Sequence, residues 1–248
     1  MTIIGFSLAD IDKFCGDDWF TRLGTLVLIY IALMFLVLLV KIWRVYNGIS
    51  LKIRGITVNV QQGDIFKVNG WKVIPFNEYF DTVVDDVIIA KNTLNGILIE
   101  NHIDDLEALN SAISSDNRSP LKGKYIQKKG KYRFPLGCIK IYNDFMLLAF
   151  THFNDQNEAR LTQSEYEDCL RFMWKEINRT YANKPIYLPL LGSGITRFDG
   201  TPHKSKSDLL NCMLCTLRKG QENINMPISI ILTKDALKEI NLYEMKGD

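Results

Sequence analysis

Hydrophobic and polar positions follow two regimes along the chain. In residues 23–40 no position carries a charge, and apolar residues occupy every face a helix would present. At 1.5 Å per residue such a helix is about 27 Å long, close to the hydrocarbon thickness of a bilayer. Trp19 and Phe20 precede the run and Trp43 and Tyr46 follow it, where aromatic side chains sit at both membrane interfaces. The sequence predicts an N-terminal segment over 1–22, a transmembrane helix over 23–45 and a soluble domain over 46–248. A cleaved signal peptide is excluded on three grounds. The apolar run is too long, Asp10, Asp12, Asp17 and Asp18 stand where a basic cluster belongs, and Lys41, Trp43 and Arg44 occupy the place of a small-residue cleavage site.

After residues 46–50, read as a linker, short apolar runs alternate with longer helical ones. Residues 56–60 alternate and are β-branched, which predicts a strand, and 71–76 predict a second. Helices are expected over 83–94 and 104–113, with a polar loop over 114–124. Residues 137–142 and 145–150 flank Asn143-Asp144 and read as a hairpin. A long helix is expected over 162–181, because Leu170, Met173, Trp174 and Ile177 recur at helical spacing. A strand over 185–191, a helix over 205–219, a strand over 228–232 and a short helix over 235–240 complete the pattern. Strands alternating with helices predict an α/β sheet covered on both faces.

Charge and cysteine usage add orientation and exclusions. Lys41, Arg44, Lys52 and Arg54 follow the apolar run and only Lys13 and Arg22 precede it, so the N-terminus is expected outside and the domain in the cytoplasm of a single-pass inner-membrane protein. Residues 3–14 have amphipathic character suited to the interface and are too short and too charged to span. The net charge is +2, without a basic stripe interleaved with aromatics, so nucleic acid is not an expected partner. The five cysteines form no disulfide framework. Cys212 and Cys215 make a C-x-x-C within a helical pattern, but neither a second such pair nor a His pair completes a zinc site. No metal is expected.

Three segments could carry chemistry. In the first, a strand runs into Gly63-Asp64-Ile65-Phe66; Asp64 could cap the following turn or accept hydrogen bonds from a ligand amine. In the second, a strand ends in Asn77, with Glu78 and Asp81 close behind. In the third, a strand enters Gly192-Ser193-Gly194-Ile195-Thr196-Arg197-Phe198. Glycines at the C-terminal end of a strand let backbone amides approach a phosphate, and Thr196 and Arg197 add donors; a tight turn without a ligand fits the same letters.

In this order and spacing, the three segments resemble the macro domain. The resemblance implies a three-layer α/β/α domain with a mixed sheet across roughly 50–242. It places Asp64 at adenine, Asn77 near the distal ribose, and residues 192–198 around the diphosphate of ADP-ribose, with Ile65 and Asp81 as further ligand-binding candidates. Macro hydrolases follow their asparagine with a glycine-rich loop, whereas Glu-Tyr-Phe-Asp-Thr follows Asn77 here. That departure favours binding over de-ADP-ribosylation and implies no catalytic residue; a tethered hydrolase, with Glu78 or Asp81 as base, is the rival.

A membrane anchor joined to such a domain resembles the membrane effectors of type II Thoeris antiphage systems. In that family a TIR-domain enzyme makes a signal nucleotide from NAD, a histidine conjugate of ADP-ribose, and the macro domain receives it. The resemblance implies no resident cofactor, an ADP-ribose derivative as ligand, homo-oligomerisation on activation, and membrane disruption leading to cell death or growth arrest.

Overall fold

The computed structural model describes residues 18–115, 126–128, 131–154, 156–200 and 204–242. The amphipathic segment expected over 3–14 and most of the loop expected over 114–124 lie outside the described residues. The chain divides into two compact units, Met1–Asn47 and Gly48–Asp248.

In the first unit, helix α1 spans Trp19–Asn47. Its stretch Trp19–Val40 is long and apolar enough to cross a membrane, and none of it is buried in the protein. The ring of Trp19 packs on that of Phe20, with centroids 3.7 Å apart.

The second unit is a nine-stranded mixed sheet between two helical layers. Strand β1 (Ile49–Ile53) turns back antiparallel onto β2 (Ile56–Gln62). Strand β3 (Trp71–Asn77) leads to helices α2 (Leu94–His102) and α3 (Leu106–Ser115). A small hairpin, β4 (Ile126–Lys128) with β5 (Lys131–Arg133), stands apart from the main sheet. Strands β6 (Ile139–Tyr142) and β7 (Phe145–Phe153) form the expected hairpin, with Asn143 in the left-handed region at φ 51°. Then come β8 (Ala159–Thr162), α4 (Gln163–Thr180), β9 (Ile186–Pro189), β10 (Arg197–Asp199), α5 (Lys206–Lys219), β11 (Ile228–Leu232) and α6 (Lys234–Glu239).

Across the sheet the order is β1-β2-β11-β9-β3-β7-β8-β10, with β6 beside β7. Strands β2, β11, β9, β3 and β7 are mutually parallel. Their C-terminal ends therefore share one edge, where open α/β sheets bind ligands. The strands covered on both faces are buried along their length, as a doubly covered sheet requires: β11 is buried throughout, and β7 is buried from Phe145 to Thr151. One core, around Met146, Leu148, Tyr166, Trp174 and Leu210, fills the face under α4, α5 and α6. The other, around Ile74, Leu98, Leu109 and Leu147, fills the face under α2 and α3. Helix α4 opens with a capping box, Thr162 and Glu165 each satisfying the other's backbone amide.

Three expectations change. The helix expected over 83–94 does not form, because carboxylates there take the amides a helix would need, and α2 over Leu94–His102 is not among the expected elements. Asp85 accepts from Val87 N at 2.9 Å and Ile88 N at 2.7 Å, Asp86 accepts from Lys91 N at 2.9 Å, and the Asp86 backbone is left-handed at φ 60°. Thr93 then caps α2. The linker expected over 46–50 shrinks to Gly48, since α1 runs to Asn47 and β1 starts at Ile49. Strands β1, β4, β5, β8 and β10 are additional to the pattern read from the sequence.

Candidate functional site

A cavity of about 610 Å³ lies along the shared C-terminal edge of the parallel strands. Its floor comes from the ends of β2, β11, β9, β3 and β7, through Gly63, Leu232, Leu190, Asn77 and Thr151. One wall is residues 88–90, with Thr93 and Asn95 at the start of α2; the opposite wall is the Gly192-Ser193-Gly194-Ile195-Thr196 loop, with Lys206 and Ala236 behind it.

The first predicted segment sits at the β2 end. Asp64 both caps and faces the cavity, so neither reading of it is lost. Its Oδ1 accepts from Phe66 N at 3.0 Å, and its Oδ2 lies 3.4 Å from Lys67 Nζ. Ile65 is buried beneath it and Phe66 stacks on His102 at 4.4 Å.

Asn77 ends β3 and is 3% exposed. Its Oδ1 accepts from Tyr79 N at 3.0 Å and Asp81 N at 3.2 Å, while its Nδ2 donates to Asp81 Oδ2 at 2.8 Å. One amide hydrogen remains beyond these bonds. Asp81 does not line the cavity; it fixes the rotamer of the residue that does.

The glycine loop is built by its backbone. Gly192 is left-handed at φ 86°, and a Cβ there would stand 3.2 Å from Leu209 Cδ2 and from Phe198 Cζ. Gly194 has open space where a Cβ would be. Ser193 donates its hydroxyl to Leu190 O at 2.6 Å, closing the turn. Residues 192–196 line the cavity as expected, but Arg197 and Phe198 do not. Both turn away in β10, towards a neighbouring trough of about 790 Å³. There Arg197 pairs with Glu158, and Phe198 meets Tyr166 edge-on at 5.4 Å.

Beneath the β3–β7 part of the floor lies a charged cluster that sequence reading did not assemble. Buried Glu78 pairs with Arg133 and lies 2.5 Å from His152 Nδ1, while His152 Nε2 lies 3.2 Å from Glu165 Oε1. The hydrogen bond to Glu78 raises the His152 pKa above its ordinary value. Burial would raise Glu165, but the Thr162 amide and hydroxyl, with His152, hold it below the usual carboxylate range. Also missed were residues 88–90 and the cavity-lining Thr151 and Phe153. The Asp85-Asp86 pair signalled the turns before α2; Thr151 and Phe153 give no local signal, because their exposure to the cavity is set by the strand order.

Among the described residues that line the cavity, Asp64 is the one carboxylate. A floor of strand ends, a glycine loop presenting backbone, and one acid beside an aromatic ring suit an elongated polyphosphate ligand carrying a base.

Comparison with known proteins agrees with this geometry. The family model described as "Thoeris protein ThsA, Macro domain" matches residues 58–233. The chain belongs to this family. A curated relative, the Thoeris protein ThsA of Bacillus amyloliquefaciens (strain Y2), is 38% identical over 232 residues, covering 89% of this chain and 78% of the relative. Among solved structures, the Oceanobacillus iheyensis macrodomain with ADP aligns with a TM-score of 0.50 at 15% identity, covering 81% of this chain and 94% of that one. The same macrodomain with MES bound aligns with a TM-score of 0.50 at 14% identity, covering 80% and 94%. At that identity the likeness establishes the macro fold, which the mixed sheet between helical layers already displays. ThsA membership joins that fold to the Thoeris systems.

Proposed function

We propose that this protein is a membrane-held sensor and effector in antiphage defence. Its ThsA-type macro domain binds an ADP-ribose-type signal nucleotide, a histidine conjugate of ADP-ribose made from NAD by a TIR-domain enzyme. Binding drives copies to associate, and the assembled anchors disrupt the inner membrane, ending in cell death or growth arrest. The anchor is a single pass with the N-terminus outside and the macro domain cytoplasmic.

The observation that carries the reading is the cavity, which strings Asp64, the glycine loop and Asn77 along one edge of the sheet. In this reading Asp64 and Ile65 hold the adenine, residues 192–196 wrap the diphosphate, and Asn77, fixed by Asp81, meets the distal ribose. Arg197 and Phe198 support the loop from behind. Binding is favoured over hydrolysis because neither carboxylate near Asn77 faces the cavity. Glu78 is held by Arg133 and His152, and Asp81 by Asn77, so a water at the ribose meets no adjacent base. Linkage then requires the nucleotide to favour the assembled state over the idle one, because equal affinity for both would shift nothing.

The test is calorimetric titration of the full-length chain in detergent micelles with ADP-ribose and its histidine conjugate, with the nucleotide recovered and analysed afterwards. Saturable binding, intact nucleotide and loss of binding in Gly192→Glu are expected. Turnover of an ADP-ribosylated substrate that disappears in Asn77→Ala would make the protein a tethered hydrolase instead. A folded sample that binds neither nucleotide would overturn the sensor.

A further inference from the structure

We propose that Glu158 is a positioning residue for the glycine loop. Through a four-charge ladder between β8 and β10 it holds the downstream limb of residues 192–196 in the shape that receives the nucleotide. The inference rests on the nucleotide reading above and adds how one wall of that site is kept in place.

The two limbs of the loop are held differently. Upstream, Ser193 donates to Leu190 O at 2.6 Å, and the Tyr166 hydroxyl lies 3.0 Å from Leu191 O. Downstream, Gly194 has open space where a Cβ would be, and Ile195 is exposed. The course of that limb is therefore set by β10, a three-residue strand at the end of the sheet, beside β8. Side chains alternate along a strand. Phe198 turns inward to meet Tyr166, while Arg197 and Asp199 stay exposed. Beyond one ring and a short run of backbone, the hold on β10 falls to these two charges.

The charges are arranged reciprocally. Arg197 stands opposite Arg160 in the parallel register, and two like charges facing one another push their strands apart. Each arginine is instead taken by an acid. Arg160 donates from Nε to Asp199 Oδ1 at 2.9 Å and reaches the same oxygen with Nη2 at 2.8 Å, while Arg197 pairs with Glu158 Oε1. Glu158 closes the ladder, because its Oε2 accepts from Arg160 Nη1 at 3.0 Å. Among the described residues Glu158 is the one acid paired with Arg197. Its carboxylate is preset: Asn154 Nδ2 donates to Glu158 Oε2 at 2.9 Å, and Asn154 Oδ1 accepts from Glu158 N at 2.9 Å. Asn154 directly follows β7, which is buried over most of its length. The position of a central strand thus passes through Asn154 and Glu158 to Arg197, the neighbour of cavity-lining Thr196. An isolated exposed ion pair contributes little, but several charges joined in a network are the exception. A loop held beforehand loses less conformational freedom when its ligand binds.

The experiment is a double-mutant cycle on Glu158 and Arg197, read by calorimetric titration of the full-length protein in detergent micelles with ADP-ribose. Glu158→Gln removes the charge and keeps the shape, so it should weaken ADP-ribose about fivefold with the melting temperature unchanged. Arg197→Gln should weaken it by the same factor, and the double variant should be no weaker than either single one, because both remove the same contact. Asp199→Asn opens the other rung and should lower affinity as well, so a failure of one variant to fold leaves a second test. Losses that multiply in the double variant would overturn the ladder as a unit. A loss in Arg197→Gln alone would overturn it by giving Arg197 a direct contact with the nucleotide. Tighter binding in Glu158→Gln would overturn it by making Glu158 a competitor for Arg197. Unchanged affinity in all these variants would overturn the positioning role and leave the nucleotide reading intact. Absence of binding by the folded wild type would overturn both.

Discussion

Asp81 accepts a hydrogen bond from Asn77 Nδ2 at 2.8 Å and donates its own backbone amide to Asn77 Oδ1 at 3.2 Å. This reciprocal pair locks a buried amide in one rotamer at the cavity floor. Asp81→Ala should therefore act through Asn77. We expect a loss of about 1–2 kcal/mol of unfolding free energy, because a buried amide loses its acceptor. ADP-ribose affinity should fall about tenfold as the amide becomes free to rotate. Urea unfolding and calorimetry on the same preparations check both figures.

The two loop glycines should separate backbone strain from ligand access. Gly192→Ala forces an L-residue to φ 86° and sets a methyl against Leu209 and Phe198, so it should cost about 1–2 kcal/mol. Gly194→Ala meets no atom within 4 Å and should leave stability within about 0.5 kcal/mol. Its methyl would still stand where a ligand backbone approaches, so nucleotide affinity should fall at least about fivefold. Unchanged affinity in Gly194→Ala would place the ligand away from the loop.

Stability should vary with pH through His152, and the direction is fixed. Its folded pKa is raised above 6.5, so the imidazolium stabilises the fold fully below pH 6.5, and that contribution is lost as pH rises through the elevated value. Glu165 works in the opposite sense. Its pKa is lowered from 4.5, so its contribution is present above pH 4.5 and lost in acid. Urea titrations from about pH 4 to about pH 9 should show stability falling on the alkaline side in the wild type and a flatter profile in His152→Gln. Arg133 Nη2, 2.9 Å from His152 Nδ1, opposes the imidazolium, so Arg133→Met should carry the alkaline loss to higher pH.

Tyr166 ties the loop to α5. Its hydroxyl lies 3.0 Å from Leu191 O and 3.3 Å from Leu209 O, and burial pushes its pKa well above the ordinary value. Tyr166→Phe should keep the ring packing, cost about 1 kcal/mol, and weaken nucleotide binding by relaxing Leu191 beside Gly192. A variant with full affinity would show that the loop holds its shape without this tether.

Charges placed in the middle of α1 test the anchor. On insertion scales each arginine costs about 2.5–3.5 kcal/mol at the centre of a span. Leu33→Arg combined with Phe35→Arg should move the protein from the membrane pellet to the wash after alkaline carbonate treatment. Retention of the double variant would mean that α1 does not span.

Much of this architecture was legible because its signals are local. The uncharged run of 23–40, the β-branched alternation at Ile56 and Val58, the Asn143 turn and the helical spacing of Leu170, Met173 and Ile177 each need only neighbouring residues. The order of Asp64, Asn77 and Gly192 exposed the cavity for the same reason. Other features depend on pairing at a distance. Strands β8 and β10 are short and hold each other through Leu161 and Phe198, residues far apart in sequence. The segment before α2 misled the helical reading because Val83, Val84, Val87 and Ile88 keep an apolar rhythm, while Asp85 and Asp86 capture the amides. Arg197 and Phe198 continue the glycine motif in sequence, yet β10 carries them away from the cavity.

The turns ahead of α2 have a mechanical consequence. Residues 85–91 are pinned by carboxylates to their own backbone, so this side of the cavity is a fixed jaw that needs no ordering when a ligand arrives. The opposing side holds Gly194 in open space and Ile195 at 61% exposed. The two jaws therefore differ in how they are held: one by its own carboxylates, the other by its packing on α5 through Gly192 and Leu209. Leu209 and Tyr166 are residues of the core that meet this second jaw directly.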